Sequence, residues 1–199
     1  MFVRIFNAAG EGISGINILE PGEAPSAPEH GTMGAPEIIG LQVSDNGQRV
    51  ALALQYVSED ILGEITSDTF AQVYDLSGNE PARVFDTYLG SAEGMMPAVA
   101  LALSNDGSLL FYGLNMAEGE GHLHDLSKGR DLRLFLSPSA GTLSCMGPAA
   151  AQFTADGTEL MIAWAEGFAE VYARESLDEL RLSPAERSVA AGETVDISA

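Results

Sequence analysis

Three stretches, GLQVSDNGQRVALAL (40–54), ALALSNDGSLLFYGL (100–114) and AAQFTADGTELMIAW (150–164), share one pattern: an apolar run, a polar turn, and a second apolar run. In each, Val43, Leu103 or Phe153 precedes Ser44, Ser104 or Thr154, and Gly47, Gly107 or Gly157 follows three residues later. Asn46, Asp106 and Asp156 suit the turn, and glycine supplies the positive φ that closes a hairpin. One such hairpin carries little weight, whereas three in the same register predict an array of repeated units.

A second shared unit follows each hairpin: TFAQVYDLSGNEPARVF (69–85), GHLHDLSKGRDLRLF (121–135) and GFAEVYARESLDELRL (167–182). From Val73, Leu123 and Val171 an apolar residue recurs eleven positions on, at Val84, Leu134 and Leu182. The amino terminus obeys the same rule with Ile5 and Ile16, so it reads as the second half of a unit. Each unit then holds four short strands, the content of one propeller blade. The expectation is an all-β, propeller-like single domain over 1–199, with blades at about 38–87, 97–136 and 148–182. A composite fourth blade is expected from half-blades 1–19 and 183–199. The alternative for 183–199 is the start of an immunoglobulin-like sandwich.

The turns SDNG (44–47), SNDG (104–107) and TADG (154–157), with the strands VYDLSGN (73–79), LHDLSKG (123–129) and VRIFNAAGE (3–11), resemble WD-repeat propellers and their bacterial relatives. Tyr74, His124, Phe6 and Tyr172 stand where that family's signature has tryptophan. The resemblance implies a protein whose rim loops and axial face present docking surfaces to another macromolecule. The expected role is therefore a non-catalytic interaction or assembly subunit with a protein partner or a second copy of itself, and with no cofactor. A propeller enzyme or metal-binding protein, and a structural component of an envelope or extracellular assembly, are the two alternatives, because fold does not fix function.

Composition narrows the partners. The 199 residues carry 9 Lys+Arg against 29 Asp+Glu, a formal charge of −20. Nucleic acid and anionic bilayers are bound through clustered cations, and this chain has one lysine, Lys128, with scattered arginines. No apolar run reaches the roughly 18 residues of a membrane span, and the start lacks a charged segment followed by an apolar one. Cys145 is the one cysteine, which excludes an internal disulfide and reads as a small buried thiol. Compartment is not legible from these features.

Candidate sites come from acids and histidines. Glu120, His122 and His124 in NMAEGEGHLHD (115–125) alternate along an expected strand, so the three side chains share a face and form a candidate metal set. Alignment of the repeats offers a second reading, because His124 takes the place of Tyr74 and Tyr172, and His122 that of Gln72 and Glu170. VSEDILGEITSDT (57–69) reads as an acidic insertion within the first blade, with Glu59, Asp60, Glu64 and Asp68 as candidate partner-binding residues and Asp75 just beyond. The proline-rich segment 20–37 reads as a long connection. Met95, Met96 and Met146 precede inner strands and read as filler of the core.

Overall fold

The computed structural model describes residues 2–6, 10, 12–18, 32–33, 35–59, 63–94, 97–116, 119–137, 146–174, 177 and 188–189. Fifteen strands are formed among them and no α-helix. An amino-terminal hairpin pairs β1 (Phe2–Phe6) with β2 (Gly12–Asn17). The first blade has β4 (Glu37–Val43), β5 (Arg49–Glu59), β6 (Ile65–Asp75) and β7 (Ala82–Glu93), all antiparallel, with the short β3 (Thr32–Met33) on the far end of β5. The second has β8 (Val99–Leu103), β9 (Leu109–Leu114), β10 (Glu120–Asp125) and β11 (Arg130–Leu136). The third has β12 (Pro148–Phe153), β13 (Glu159–Trp164), β14 (Phe168–Ala173) and β15 (Ser188–Val189).

The repeated turns form as their chemistry dictates. Ser104 Oγ donates to Asp106 Oδ1 at 2.7 Å and accepts from the Leu109 amide at 2.8 Å, while Gly107 has φ 72°. Ser44 with Asn46 and Thr154 with Asp156 repeat the arrangement, and Gly47 and Gly157 have φ of 67° and 70°. These turns also tie the blades together at one end. The Asp45 amide donates to Asn105 O at 2.9 Å, Arg49 Nη1 to Gly107 O at 2.7 Å, and Arg174 Nη2 to Asp106 Oδ2 at 2.7 Å. Partial burial pushes the Asp106 carboxyl up, but hydrogen bonds from Arg174, the Ser108 amide and the Ser104 and Ser108 hydroxyls outweigh it. The group ends well below the ordinary carboxylate range.

Strand alternation sends successive side chains to opposite faces, and the facing sides of neighbouring sheets pack together. Val50, Leu52, Leu54 and Tyr56 of β5 pack with Ile16 and Ile18 beside the amino-terminal hairpin. On the other face Ala51, Ala53, Ala71 and Val73 meet Leu101, Leu103, Leu110 and Tyr112 of the second blade. That blade in turn sets Ala100, Ala102, Leu109 and Phe111 against Phe153, Leu160, Ile162 and Trp164 of the third. At about 1.5–3 kcal/mol for each fully buried large apolar side chain, these seams hold the array together. Arg133 lies over Phe135 and Tyr172 at 4.9 and 4.8 Å from the ring centres, closing the outer part of the second seam.

Two details differ from the sequence reading. Residues 57–69 are not an excursion from the sheet: β5 runs through Glu59 and β6 begins at Ile65, paired from Arg49↔Asp75 to Glu59↔Ile65. Val57, Ile65, Thr66 and Thr69 are β-branched, so the ladder continues past the end of β4. Asp75 therefore lies at the opposite end of an 11-residue strand from the other acids. Ser188–Val189, expected in the half-blade 183–199, instead pairs with β14 through Ala169↔Val189 and Glu170↔Ser188. The outer edge of β14 offers unpaired backbone groups that a strand satisfies. Leu182, the rest of the tail with its sandwich alternative, most of the connection 20–37, and Asp60, Met95, Met96 and Cys145 lie outside the described residues.

Candidate interaction site between the first two blades

A cleft of about 460 Å³ opens where β7 passes β9 and β10. Thr87, Tyr88, Leu89 and Gly90 form one wall, and Tyr112, Leu114 and His122 the other, with Glu120 and Asp131 adding two carboxylates. On the turn from β9 to β10, Gly119 lies so close to Leu114 O that a Cβ would collide with it, so only glycine allows this tight entry.

The structure places the three candidate metal residues on one face of β10, but it divides them. His124 Nδ1 is 2.7 Å from Asp131 Oδ1, and its ring tilts against Phe85 at 4.6 Å between centres. His122 lies flat on Tyr112, with centres 5.2 Å apart and planes 9° apart, and its Nε2 is 3.7 Å from Glu120 Oε2. Two separate His–carboxylate pairs result. Among the described residues no group of three or more His, Cys, Asp or Glu side chains is placed to hold a metal ion. Burial, reinforced by the Asp131 charge and opposed by a hydrogen bond with Thr87, pushes the Tyr112 hydroxyl up to about 12. Tyr112 therefore stays a neutral phenol at the base of the cleft.

Asp131 is the residue that sequence reasoning missed. It meets His124 because the β10–β11 register shifts between Leu123 and His124, bringing His124 opposite Asp131. Alternation along a strand can be read from a sequence, but a bulge that re-aims a side chain carries no comparable signal.

The repeat shows how the corresponding position is filled in the other blades. In the first and third blades the tyrosine of this position donates to a polar residue two positions back: Tyr74 to Gln72 at 2.9 Å and Tyr172 to Glu170 at 2.8 Å. Glu170 also accepts from Trp164 Nε1 at 2.9 Å. Burial first, then the hydrogen bond and charge of Glu170, raise the Tyr172 hydroxyl far above its ordinary value. The seam between the second and third blades is thus filled by Trp164, Tyr172 and the Arg133 guanidinium. At the first seam Leu114 and His124 replace Trp164 and Tyr172, and Arg83, the counterpart of Arg133, is paired with Asp86 at 3.1 Å.

The candidate partner-binding acids sit elsewhere on the first blade. Glu59 and Glu64 are exposed at the far end of β5 and β6. Asp68 accepts a hydrogen bond from the Tyr88 hydroxyl at 3.0 Å, so it is also part of the β6–β7 face. Tyr112 and Trp164 are buried, and Tyr88 is exposed.

No family model matches the chain, and no curated protein matches it. Among solved structures it is similar to the dihydro-heme d1 dehydrogenase NirN in complex with DHE, with a TM-score of 0.51 and 16% identity over 96% of this chain and 33% of that one. It is also similar to the RRP9 WD40 repeats, at a TM-score of 0.46 and 10% identity over 85% of this chain and 44% of that one. A third is the β-propeller domain of Cps50 (Swd1) of Myceliophteria thermophila, at 0.42 and 12% over 77% and 59%. The chain thus spans about a third of the NirN chain's length. Among the described residues no helix is long and apolar enough to cross a membrane. What the chain shares with the NirN structure is architecture alone: it has a propeller-like fold, an all-β array of antiparallel blades stacked on one another.

Proposed function

We propose that this protein is a non-catalytic interaction subunit that takes a basic segment of a protein partner into the cleft between its first two blades. The observation that carries the reading is internal to the molecule. At the neighbouring seam a guanidinium, that of Arg133, already lies against the Tyr172 and Phe135 rings, which shows that a blade seam of this chain accommodates an arginine. At the first seam the corresponding Phe85 and His124 rings meet each other, and beside them opens the cleft, walled by Tyr112 and Tyr88 and flanked by the carboxylates of Glu120 and Asp131. An arginine or lysine side chain entering there gains attraction to the exposed Tyr88 ring and charge pairing at once. The acids of the far β5–β6 end, Glu59, Glu64 and Asp68, with Asp60 next to Glu59 in the sequence and the net charge of −20, would draw a basic partner in from solution.

The test is titration of a fluorescent arginine-rich peptide, with a citrulline version of the same sequence as its uncharged counterpart. Binding should require the arginines and weaken as salt rises. The Glu120→Gln/Asp131→Asn double variant should lose roughly three- to tenfold in affinity, the scale of two partly exposed charge contacts, while Glu80→Gln in a distant exposed turn should change nothing. Equal binding of the citrulline peptide, or an unchanged affinity in the double variant, would refute the assignment.

A further inference from the structure

Beside the carboxylates of the cleft lies an apolar step that pairing with a cation does not use. The β10–β11 register sets Glu120 opposite Leu136 and His122 opposite Leu134, so both leucines share the cleft-facing side of the second blade with Glu120. Leu134 is 47% and Leu136 53% exposed, and they stand about 7 Å apart at roughly 3.4 Å per residue. A single exposed leucine is ordinary, whereas two on one face at the border of a cleft form a continuous apolar surface. The first blade shows what else these ladder places can hold. There Asp86 stands opposite Gln72 and Tyr88 opposite Phe70, and both are engaged: Gln72 Nε2 donates to Asp86 Oδ1 at 3.3 Å, and the Tyr88 hydroxyl donates to Asp68 at 3.0 Å. The second blade keeps the ladder and has leucine at both places.

We infer that the segment taken by the cleft alternates basic and apolar residues: an extended stretch of a protein partner whose arginine or lysine meets Glu120 and Asp131 while an apolar residue two positions away covers Leu134 and Leu136. The inference rests on the basic-partner reading and adds to it the residue that gives selectivity. The spacing follows from the ladder. Directly opposite residues on antiparallel strands stand about 5 Å apart, so Leu136 begins one strand step beyond Glu120. In an extended segment the side chains of one face recur every second residue, about 7 Å on. That distance carries the next side chain from the carboxylates onto the leucines. Charge complementarity selects a basic residue at the first place, and the leucines favour an apolar neighbour over a second cation, which would lie against apolar surface.

Anisotropy titration of the full chain with three fluorescent peptides provides the test. The first has arginine at its centre, leucine two positions to either side and threonine between, a symmetric design that serves either chain direction. The second has serine for both leucines, and the third is the leucine peptide with citrulline for arginine. The serine peptide should bind roughly three- to tenfold more weakly than the leucine peptide, the scale of covering two half-exposed leucines. In the Leu134→Thr/Leu136→Thr variant that preference should vanish while the loss caused by citrulline stays. Leu134→Met/Leu136→Met should keep both effects. Threonine suits an exposed strand position, and circular dichroism checks that the fold is intact. Equal binding of the leucine and serine peptides to the wild type, or a leucine preference that survives in the threonine variant, would overturn the inference; where citrulline still costs affinity, the basic-partner reading stands. Binding of none of the peptides, or citrulline binding as tightly as arginine, would overturn the basic-partner reading and this inference with it.

Discussion

The most demanding prediction concerns a pair of residues in the second blade. Gly121 faces Phe111 so closely that a Cβ on it would lie 2.6 Å from Phe111 Cζ and 2.8 Å from Cε2, where carbon atoms prefer about 3.5–4.0 Å. Phe111 cannot yield that distance, since it is fully buried and its ring is wedged edge-on against Phe135 at 5.6 Å. Gly121→Ala should therefore destabilise by about 1–3 kcal/mol, the usual cost of overpacking. Phe111→Leu removes the colliding ring atoms and should cost about 1–2 kcal/mol by itself, below the 3–5 kcal/mol of full truncation. The two losses should not add. With the shorter side chain at 111 there is room for the methyl group, and the double variant should be more stable than the sum of the singles by about 1 kcal/mol or more. The first blade supports this logic, because it has Ala71 in place of Gly121 and Ala51 in place of Phe111. Trp164, the one tryptophan, is 2% exposed in the same core and reports urea unfolding by its emission. A neutral Gly121→Ala, or additivity within about 0.5 kcal/mol, would refute the reasoning.

Three further outcomes follow from the same geometry. Asp125 is held at about 2, against an ordinary 3.8, because hydrogen bonds from Lys128 and Ser127 outweigh its burial. A carboxyl depressed in the folded state stabilises above its unfolded value and loses that contribution as pH falls through the folded one. Urea midpoints should therefore drop between about pH 4 and 2, and Asp125→Asn should flatten that drop; an identical acid slope in the variant would count against it. Glu170→Ala strands the Trp164 and Tyr172 donors and should cost about 2–4 kcal/mol, whereas Glu170→Gln keeps an acceptor and should cost less than half as much by the same urea assay. Gly47→Ala and Gly107→Ala both force alanine to a φ near 70° at roughly 1 kcal/mol. Gly107→Ala should be the more damaging, because its methyl group meets Arg49 Cδ at 3.1 Å while Gly47 has open space; equal midpoints would contradict this.

The blades were legible because their instructions are local. A Ser, Asn or Asp and a Gly at fixed offsets make one turn three times, and alternation does the rest, so the hairpins around Gly47, Gly107 and Gly157 could be placed from the residues alone. The cleft was legible only in part. His122 and Glu120 share a strand face, which spacing predicts, whereas the facing wall comes from β7, more than twenty residues away, and its approach depends on how two sheets pack. The acidic segment 57–69 differs from its sequence reading for a related reason. Its acids resemble a loop, but β-branched Val57, Ile65, Thr66 and Thr69 continue the ladder, and strand propensity outweighs polarity. The pairing of Ser188–Val189 with β14 depends on which sheet edge is vacant, a property of the assembled fold.

The turn-to-turn ties described above, Asp45 to Asn105, Arg49 to Gly107 and Arg174 to Asp106, each join one blade to the next. Among the described residues every seam is a nearest-neighbour seam, so opening should proceed from the outside inward. Backbone amides of β8 to β10, guarded on both flanks, should exchange with solvent more slowly than those of β12 and β13. A ligand lodged across the first seam would act as a clamp on that hierarchy. It would lend its binding free energy to the junction it spans, and slowed amide exchange there, unchanged at the second seam, would mark where it sits.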